Sequence, residues 1–245
     1  MQNKPLRIAM WCGPRNISTA LLRSWGNRAD TYVCDEPLYA HYLKTTGKQH
    51  PGADEVIAHQ ENDWQKVIDW LLGPVPEGKN IFYQKHMSHH LLPNIGRDWL
   101  TELTNCFLIR DPREMITSLI KIVPDAKVED TGLPQQVEIF ELIREATGET
   151  PPVLDSKETL DNPEAILKKL CERLDVEFTE NMLSWPPGTR ETDGVWAKHW
   201  YSSVNTSTEF RPFKPKTDEI TAELQPLYEE CQKYYDQLYQ HRLTA

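Results

Sequence analysis

At 245 residues, 39% hydrophobic and with eight Trp, the chain has the apolar mass for one α/β domain with a substantial core and lacks the composition of a disordered segment. Its net charge of −10, from 27 basic and 37 acidic residues, speaks against a general nucleic-acid or anionic-membrane binder. A small polyanion needs only a few local cations, so that class of ligand stays open. Met1–Pro5 leads straight into a short apolar run, which leaves no room for a signal-peptide core, and nowhere does an apolar run approach the ~20 residues of a membrane span. The five Cys are scattered and lack CxxC spacing, as expected of reduced thiols in a cytoplasmic protein with neither a zinc site nor a disulfide framework.

In chain order, short apolar strands alternate with helical patterns, the pattern of a central parallel β-sheet flanked by helices. Strand one is Leu6–Trp11, followed by a helix over Ile17–Gly26 that carries Ile17, Leu21, Leu22 and Trp25 on one face. Thr31–Cys34 reads as strand two. A polar, His- and Gly-containing segment follows, and then one helix over Val56–Leu72. Asn80–Gln84 is strand three and Thr104–Ile109 strand four, with a helix from Pro112 to Ile122 opening on a proline that fits the first turn. A loop over Pro124–Pro134 precedes a helix to Ala146, a fifth strand at Pro152–Asp155 and a helix over Glu164–Leu174. Ser184–Pro215 has no period and is rich in Pro, Gly and aromatic residues, and a long irregular stretch of this kind is usually functional. Asp218–Leu243 closes the chain as an amphipathic helix. The chain reads as one domain over residues 1–245, without repeats.

Two segments carry chemistry. After strand one comes Gly13-Pro14-Arg15-Asn16-Ile17-Ser18-Thr19, a turn that opens a helix. Backbone N–H groups at a helix start, with the dipole behind them, favour an anion. Asn16 is the expected N-cap, with Thr19 at the third helical position and Arg15 adding a full positive charge. The Gly-Lys-Ser/Thr of a Walker A loop is absent. Taken alone, the segment reads almost as well as an ordinary capped turn. The second segment, Phe107-Leu108-Ile109-Arg110-Asp111-Pro112, places Arg110 at the end of strand four, with Ser118 eight residues on. Ligands of parallel sheets bind beyond the carboxyl ends of strands, where Arg110 and Ser118 could reach one phosphate. The plain alternative is an arginine that caps a neighbouring helix.

Together these segments resemble the sulfotransferase superfamily. Pro14, Arg15, Ser18 and Thr19 fall in register on its phosphosulfate loop, and Arg110 with Ser118 on its 3′-phosphate motif. Val153-Leu154-Asp155, Pro163–Leu174 and Gly194-Val195-Trp196-Ala197-Lys198 are similar to later family segments, the last of them to the closing cofactor segment. The resemblance implies a P-loop nucleotide-hydrolase-like topology and 3′-phosphoadenosine-5′-phosphosulfate (PAPS) as sulfuryl donor, with 3′-phosphoadenosine-5′-phosphate (PAP) as product. It further implies a metal-independent, in-line transfer to a hydroxyl or amine of a small-molecule acceptor. Gly13 through Thr19, Arg110, Ser118, Trp196 and Lys198 are the implied donor-binding residues. The chain departs from the pattern at Asn16-Ile17, which stand where Ser-Gly is usual; β-branched Ile17 then needs ordinary helical geometry, with Gly13 taking the tight approach.

A base must take the acceptor's proton, and two candidates follow strands. Glu36, in Cys34-Asp35-Glu36-Pro37, resembles the Glu-Pro of branches with a glutamate base, and Pro37 restrains the backbone beside it. His86 follows Lys85 directly, whereas branches with a histidine base carry Lys-x-His. Lys85 is the candidate for the sulfuryl oxygens, and Arg15 for charge developing on the leaving phosphate. His86 and His90 are four apart and would chelate a metal only if helical and joined by a third ligand. Trp196, Trp200, Tyr201 and Phe210 serve equally as pocket wall, adenine platform or packing mass. Lys198 and Arg211 are further cations for a phosphate. A degenerate P-loop kinase and a non-catalytic nucleotide-binding module are the competing readings.

Overall fold

In the computed structural model, which describes residues 5–245, every strand pairing is parallel. The first four residues of the expected leaderless start lie outside the described residues. Strands β1 (Leu6–Cys12), β2 (Thr31–Asp35), β3 (Ile81–Met87), β4 (Thr104–Ile109) and β5 (Val153–Asp155) form one sheet in the order β2-β3-β1-β4-β5. Strand alternation feeds two cores, one on each face. Ile8, Met10 and Cys12 of β1 meet α1 (Ser18–Gly26) through Leu21, Leu22 and Trp25. Ala9 and Trp11 face the opposite core. Full burial of a Leu or Ile side chain stabilises by about 1.5–3 kcal/mol, so these layers dominate the stability of the sheet.

Two helices, α2 (Tyr39–Thr46) and α3 (Ala53–His59), lie beside the sheet, and α4 (Trp64–Leu72) covers the Trp11 face with Val67, Ile68 and Leu71. The helix predicted over Val56–Leu72 is therefore two helices, and α2 lies in the polar, His- and Gly-containing segment for which no helix is predicted. The break between α3 and α4 is held by side chains. Asp63 caps α4 by accepting from the Gln65 amide at 3.1 Å, while the Gln60 amide group binds both Ala40 N and Glu36 O at 2.9 Å. The break thus braces the turn that follows β2.

The remaining helices are α5 (Pro112–Leu119), α6 (Leu133–Thr147), α7 (Ser156–Asp161), α8 (Pro163–Arg173), α9 (Ala197–Trp200), α10 (Ser202–Asn205) and α11 (Gln225–Tyr239). α6 and α11 cover the Trp11 face and α8 the other. α11 is shorter than the predicted Asp218–Leu243, because Pro226 sits in its first turn and fixes where it begins. Strand three runs on from the predicted Gln84 to Met87, a change that matters for the site. All five Cys are buried and unbridged. Among the described residues no helix is long and apolar enough to cross a membrane.

β1 lies between β3 and β4, and its own connection runs to β2 at the far edge. The crevice of such a sheet opens beyond the strand ends at this switch. Gly13, Glu36, Ser88 and Arg110 each follow the last residue of a strand there. Gly13 is needed for space: a Cβ on it would collide with the backbone carbonyl oxygen of Thr131. Gly13→Ala should therefore lower stability by about 1–3 kcal/mol, the usual cost of overpacking, read as a fall in Tm.

Candidate active site

A cavity of about 510 Å³ opens at these strand ends and reaches from the β1–α1 turn to the aromatic residues of α2. At its first end, α1 begins at Ser18 after Ile17, so Thr19 is the second helical residue and not the third. Asn16 does not cap the helix. Its Nδ2 donates to Leu108 O (3.1 Å) and its Oδ1 accepts from Ile17 N (2.8 Å) and Ser156 Oγ (2.5 Å), which ties the turn to β4 and α7. Ile17, expected in ordinary helical geometry, is instead the residue that precedes the helix, with φ −87° and ψ 17°, outside the left-handed region. No side chain caps α1 and its first turn holds no acid, so its free N–H groups and its dipole point at the cavity uncompensated.

The two predicted motifs meet here. Arg15 Nε donates to Ser118 Oγ at 2.9 Å, and Arg110 Nη1 donates to Arg15 O at 2.6 Å. Arg15 itself is held at φ 56°, a left-handed conformation that costs a non-glycine residue free energy and recurs at functional sites. Lys216, which no periodicity or motif marks in the sequence, adds a third cation, its Nζ donating to Glu114 O at 2.8 Å. Glu114 is a carboxylate behind these cations, and it accepts from Arg110 Nη2 (3.1 Å) and Lys216 N (2.9 Å). Arg110 Nε is buried without a partner. Burial and the neighbouring Arg110 hold both Arg15 and Lys216 below their ordinary pKa values. Three crowded cations, offset in part by Glu114, suit an anion of several charges.

At the second end β3 decides which side chains face the cavity. Lys85 and Met87 line it, while His86, on the opposite side of the strand, stacks on Trp11 at 4.4 Å and reaches Gln84 Oε1 at 3.2 Å. His86 is 2% exposed, and burial pushes its pKa down to about 3. The structure thus removes His86 as a base: alternation along an extended strand turns it into the core. It also separates His86 from His90, and among the described residues no three His, Cys, Asp or Glu could together hold a metal ion.

Glu36 does face the cavity. Its φ of 47° is again left-handed, and its backbone is pinned by Glu36 N to Lys85 O (2.9 Å) and by Tyr39 N and Gln60 Nε2 onto Glu36 O. Its carboxylate accepts from Lys85 Nζ at 2.8 Å. The same ammonium donates to Asp35 Oδ1 and to Tyr201 OH, each at 2.8 Å, and Tyr201 OH donates to Asp35 Oδ2 at 2.5 Å. Burial raises the pKa of Glu36, Lys85 opposes that, and Asp35 adds to it, leaving a carboxyl above its ordinary range. Lys85 goes well up, because Asp35 and Glu36 outweigh a burial that works against its charge. Asp35 and the role of Tyr201 escape a sequence reading, since Tyr201 arrives from α9 and the turn after it, in the irregular segment.

The wall beyond Glu36 is aromatic and neutral. His90 stacks on Tyr39 (4.7 Å) and on Tyr42 (4.6 Å), and burial holds His89 at about 3 and His90 well below its ordinary value. Trp196 lines the same wall, edge-on to Tyr39 at 5.2 Å, and packs on the α2 core. Trp200, Tyr201, Phe210 and Arg211 also reach the cavity. Lys198, predicted to touch the donor, does not line it: on α9 its exposed ammonium pairs with Glu55 of α3 at 2.5 Å.

A family model described as "Sulfotransferase domain" matches residues 6–235. Two curated proteins of Arabidopsis thaliana, branched-chain-amino-acid aminotransferase-like proteins 1 and 2, are 38% and 34% identical to 84% and 96% of this chain. The chain spans only 37% and 41% of their lengths. Among solved structures, the sulfotransferase domain from the curacin biosynthetic pathway matches 98% of this chain and 99% of its own, with a TM-score of 0.55 at 17% identity, a likeness of fold.

Proposed function

Because the chain belongs to the sulfotransferase family, we propose that it moves a sulfuryl group from PAPS to the hydroxyl of a small acceptor. The observation that carries this reading is the meeting of Arg15, Arg110, Ser118 and the uncapped start of α1 in one cavity, with the Glu36–Lys85 pair at its other end. PAPS carries a 5′-phosphosulfate and a 3′-phosphate, and two groups of anion-binding residues answer to them. Ser18, Thr19, Arg15 and the free N–H groups of α1 suit the 5′ side; Arg110, Ser118 and Lys216 suit the 3′ side. Bound there, PAPS supplies an activated sulfuryl group, and the bond that breaks joins sulfur to the 5′-phosphate oxygen. Arg15 then offsets the charge growing on that phosphate.

Glu36 is the general base of this reading. It takes the acceptor's O–H proton as the oxygen bonds to sulfur, and its raised pKa suits the task. Two residues after Lys85 the cavity-facing side chain is Met87, whose thioether cannot take a proton. A hydroxyl fits this end better than an ammonium or a carboxylate. Glu36 is paired with Lys85, Asp130 with Lys48, and His89 and His90 are held neutral, so a charged acceptor would have to break one of these ion pairs to find a counter-ion among them.

The test is transfer of radiolabel from [³⁵S]PAPS to a panel of small alcohols without added metal. Label in a sulfate ester supports the reading; Mg²⁺-dependent ATP turnover without PAP binding overturns it in favour of a kinase. In the same assay His86→Ala should keep kcat and PAP affinity within a few fold while losing on the order of 2 kcal/mol of stability, because the ring packs against Trp11. A loss of kcat beyond a hundredfold with Tm unchanged would restore His86 as the base.

A further inference from the structure

Lys85 has three N–H donors, and the protein takes all three. An ammonium so engaged has none left for a sulfuryl oxygen. One partner must let go, and the three are not equivalent. The Asp35 carboxylate is buried, with its side chain 1% exposed, and its second oxygen is held by Tyr201. Tyr201 is 5% exposed, and its oxygen closes a ring of three hydrogen bonds with Lys85 and Asp35. Glu36 is the most accessible of the three, at 12% for its side chain, and it alone also has to reach the acceptor.

We propose that Asp35 and Tyr201 are positioning residues that hold Lys85 in place, and that the Glu36–Lys85 ion pair is the resting state of an exchange. This inference rests on the sulfuryl-transfer reading above. When donor and acceptor are both bound, Glu36 turns from Lys85 to the acceptor hydroxyl, and the N–H it leaves goes to a sulfuryl oxygen. The acceptor O–H proton passes to Glu36, the acceptor oxygen bonds to sulfur, and the electron pair of the broken S–O bond leaves on the 5′-phosphate of PAP. Throughout, the Asp35 carboxylate remains to balance the Lys85 charge, so the exchange never strands a buried ammonium. The Asp35 and Glu36 charges that raise the Lys85 pKa agree with this. Because Tyr201 comes from the segment over 184–215, the ring also fixes that segment to the catalytic lysine.

The exchange can be read in binding, without knowing the acceptor. PAP and PAPS differ by the sulfuryl group, so their affinity ratio reports on the Lys85 contact. In wild type PAPS must displace Glu36 to gain that contact. Glu36→Gln puts a neutral amide of the same shape against Lys85, and calorimetry should show the preference for PAPS over PAP rising about fivefold, the scale of one hydrogen bond. Tyr201→Phe and Asp35→Asn should lower that preference by about fivefold, with PAP affinity held within about twofold. Tyr201→Phe is the conservative variant that stands if Asp35→Asn does not fold. An unchanged ratio in Glu36→Gln, or PAP and PAPS affinities falling together in Tyr201→Phe, overturns the exchange and leaves the transfer reading intact. A wild-type protein that binds neither nucleotide overturns both.

Discussion

Arg110→Ala weakens PAP binding by more than about tenfold in calorimetry, at least ~1.4 kcal/mol. Arg110 donates to Arg15 O at 2.6 Å and to Glu114, and its Nε is buried without a partner, which leaves a charged donor to answer a phosphate. The substitution also removes the strut beneath Arg15, so both anion-binding groups lose geometry together. Arg110→Lys keeps the charge but not the planar fork, and should recover only part of the loss. An Arg110→Ala protein with wild-type affinity and wild-type Tm would show that the 3′-phosphate lies elsewhere.

Glu36→Gln lowers kcat by about 10²–10⁴, the range for a lost general base, and leaves PAP affinity within a few fold. The pH dependence follows from the shift. A base works deprotonated, so the rate rises as pH climbs through the Glu36 pKa and falls below it. Burial, with Asp35 adding to it, sets that pKa above the ordinary carboxyl range against the opposing pull of Lys85, so the acid limb of kcat/KM lies above where a solvated glutamate would put it. Asp35→Asn removes one of the raising charges and should move the limb toward lower pH. A Glu36→Gln enzyme with full kcat would exclude the base, whatever the fold.

Much of the architecture is legible because β1, β2 and β4 are short apolar runs bounded by turns, and because chemistry in a parallel sheet gathers at strand ends. Arg15, Glu36 and Arg110 were placed by that logic, and Ser118 by two turns of helix. The failures are equally physical. Gln84, Lys85 and His86 look like the polar end of a strand, yet β3 runs through them to Met87 and its alternation turns His86 into the core. A boundary set three residues short exchanged a buried aromatic for a base. By its neighbours in sequence Lys198 reads as a phosphate ligand, but the short α9 turns it toward Glu55. Asp35, Tyr201 and Lys216 carry no periodic signal. Their roles come from contacts across 116 residues between Lys85 and Tyr201 and 102 between Glu114 and Lys216, and such contacts appear only once the chain has folded.

The most direct measurement of the central claim is a calorimetric titration of the wild-type protein with PAP and, separately, with adenosine 5′-monophosphate. With Arg110, Ser118 and Lys216 answering to the 3′-phosphate, PAP should bind at least about tenfold tighter than the monophosphate, because charge-assisted contacts of this kind are strong and the monophosphate lacks the group they serve. Equal affinities, or no binding of either, would contradict the assignment of this cavity to a sulfuryl donor.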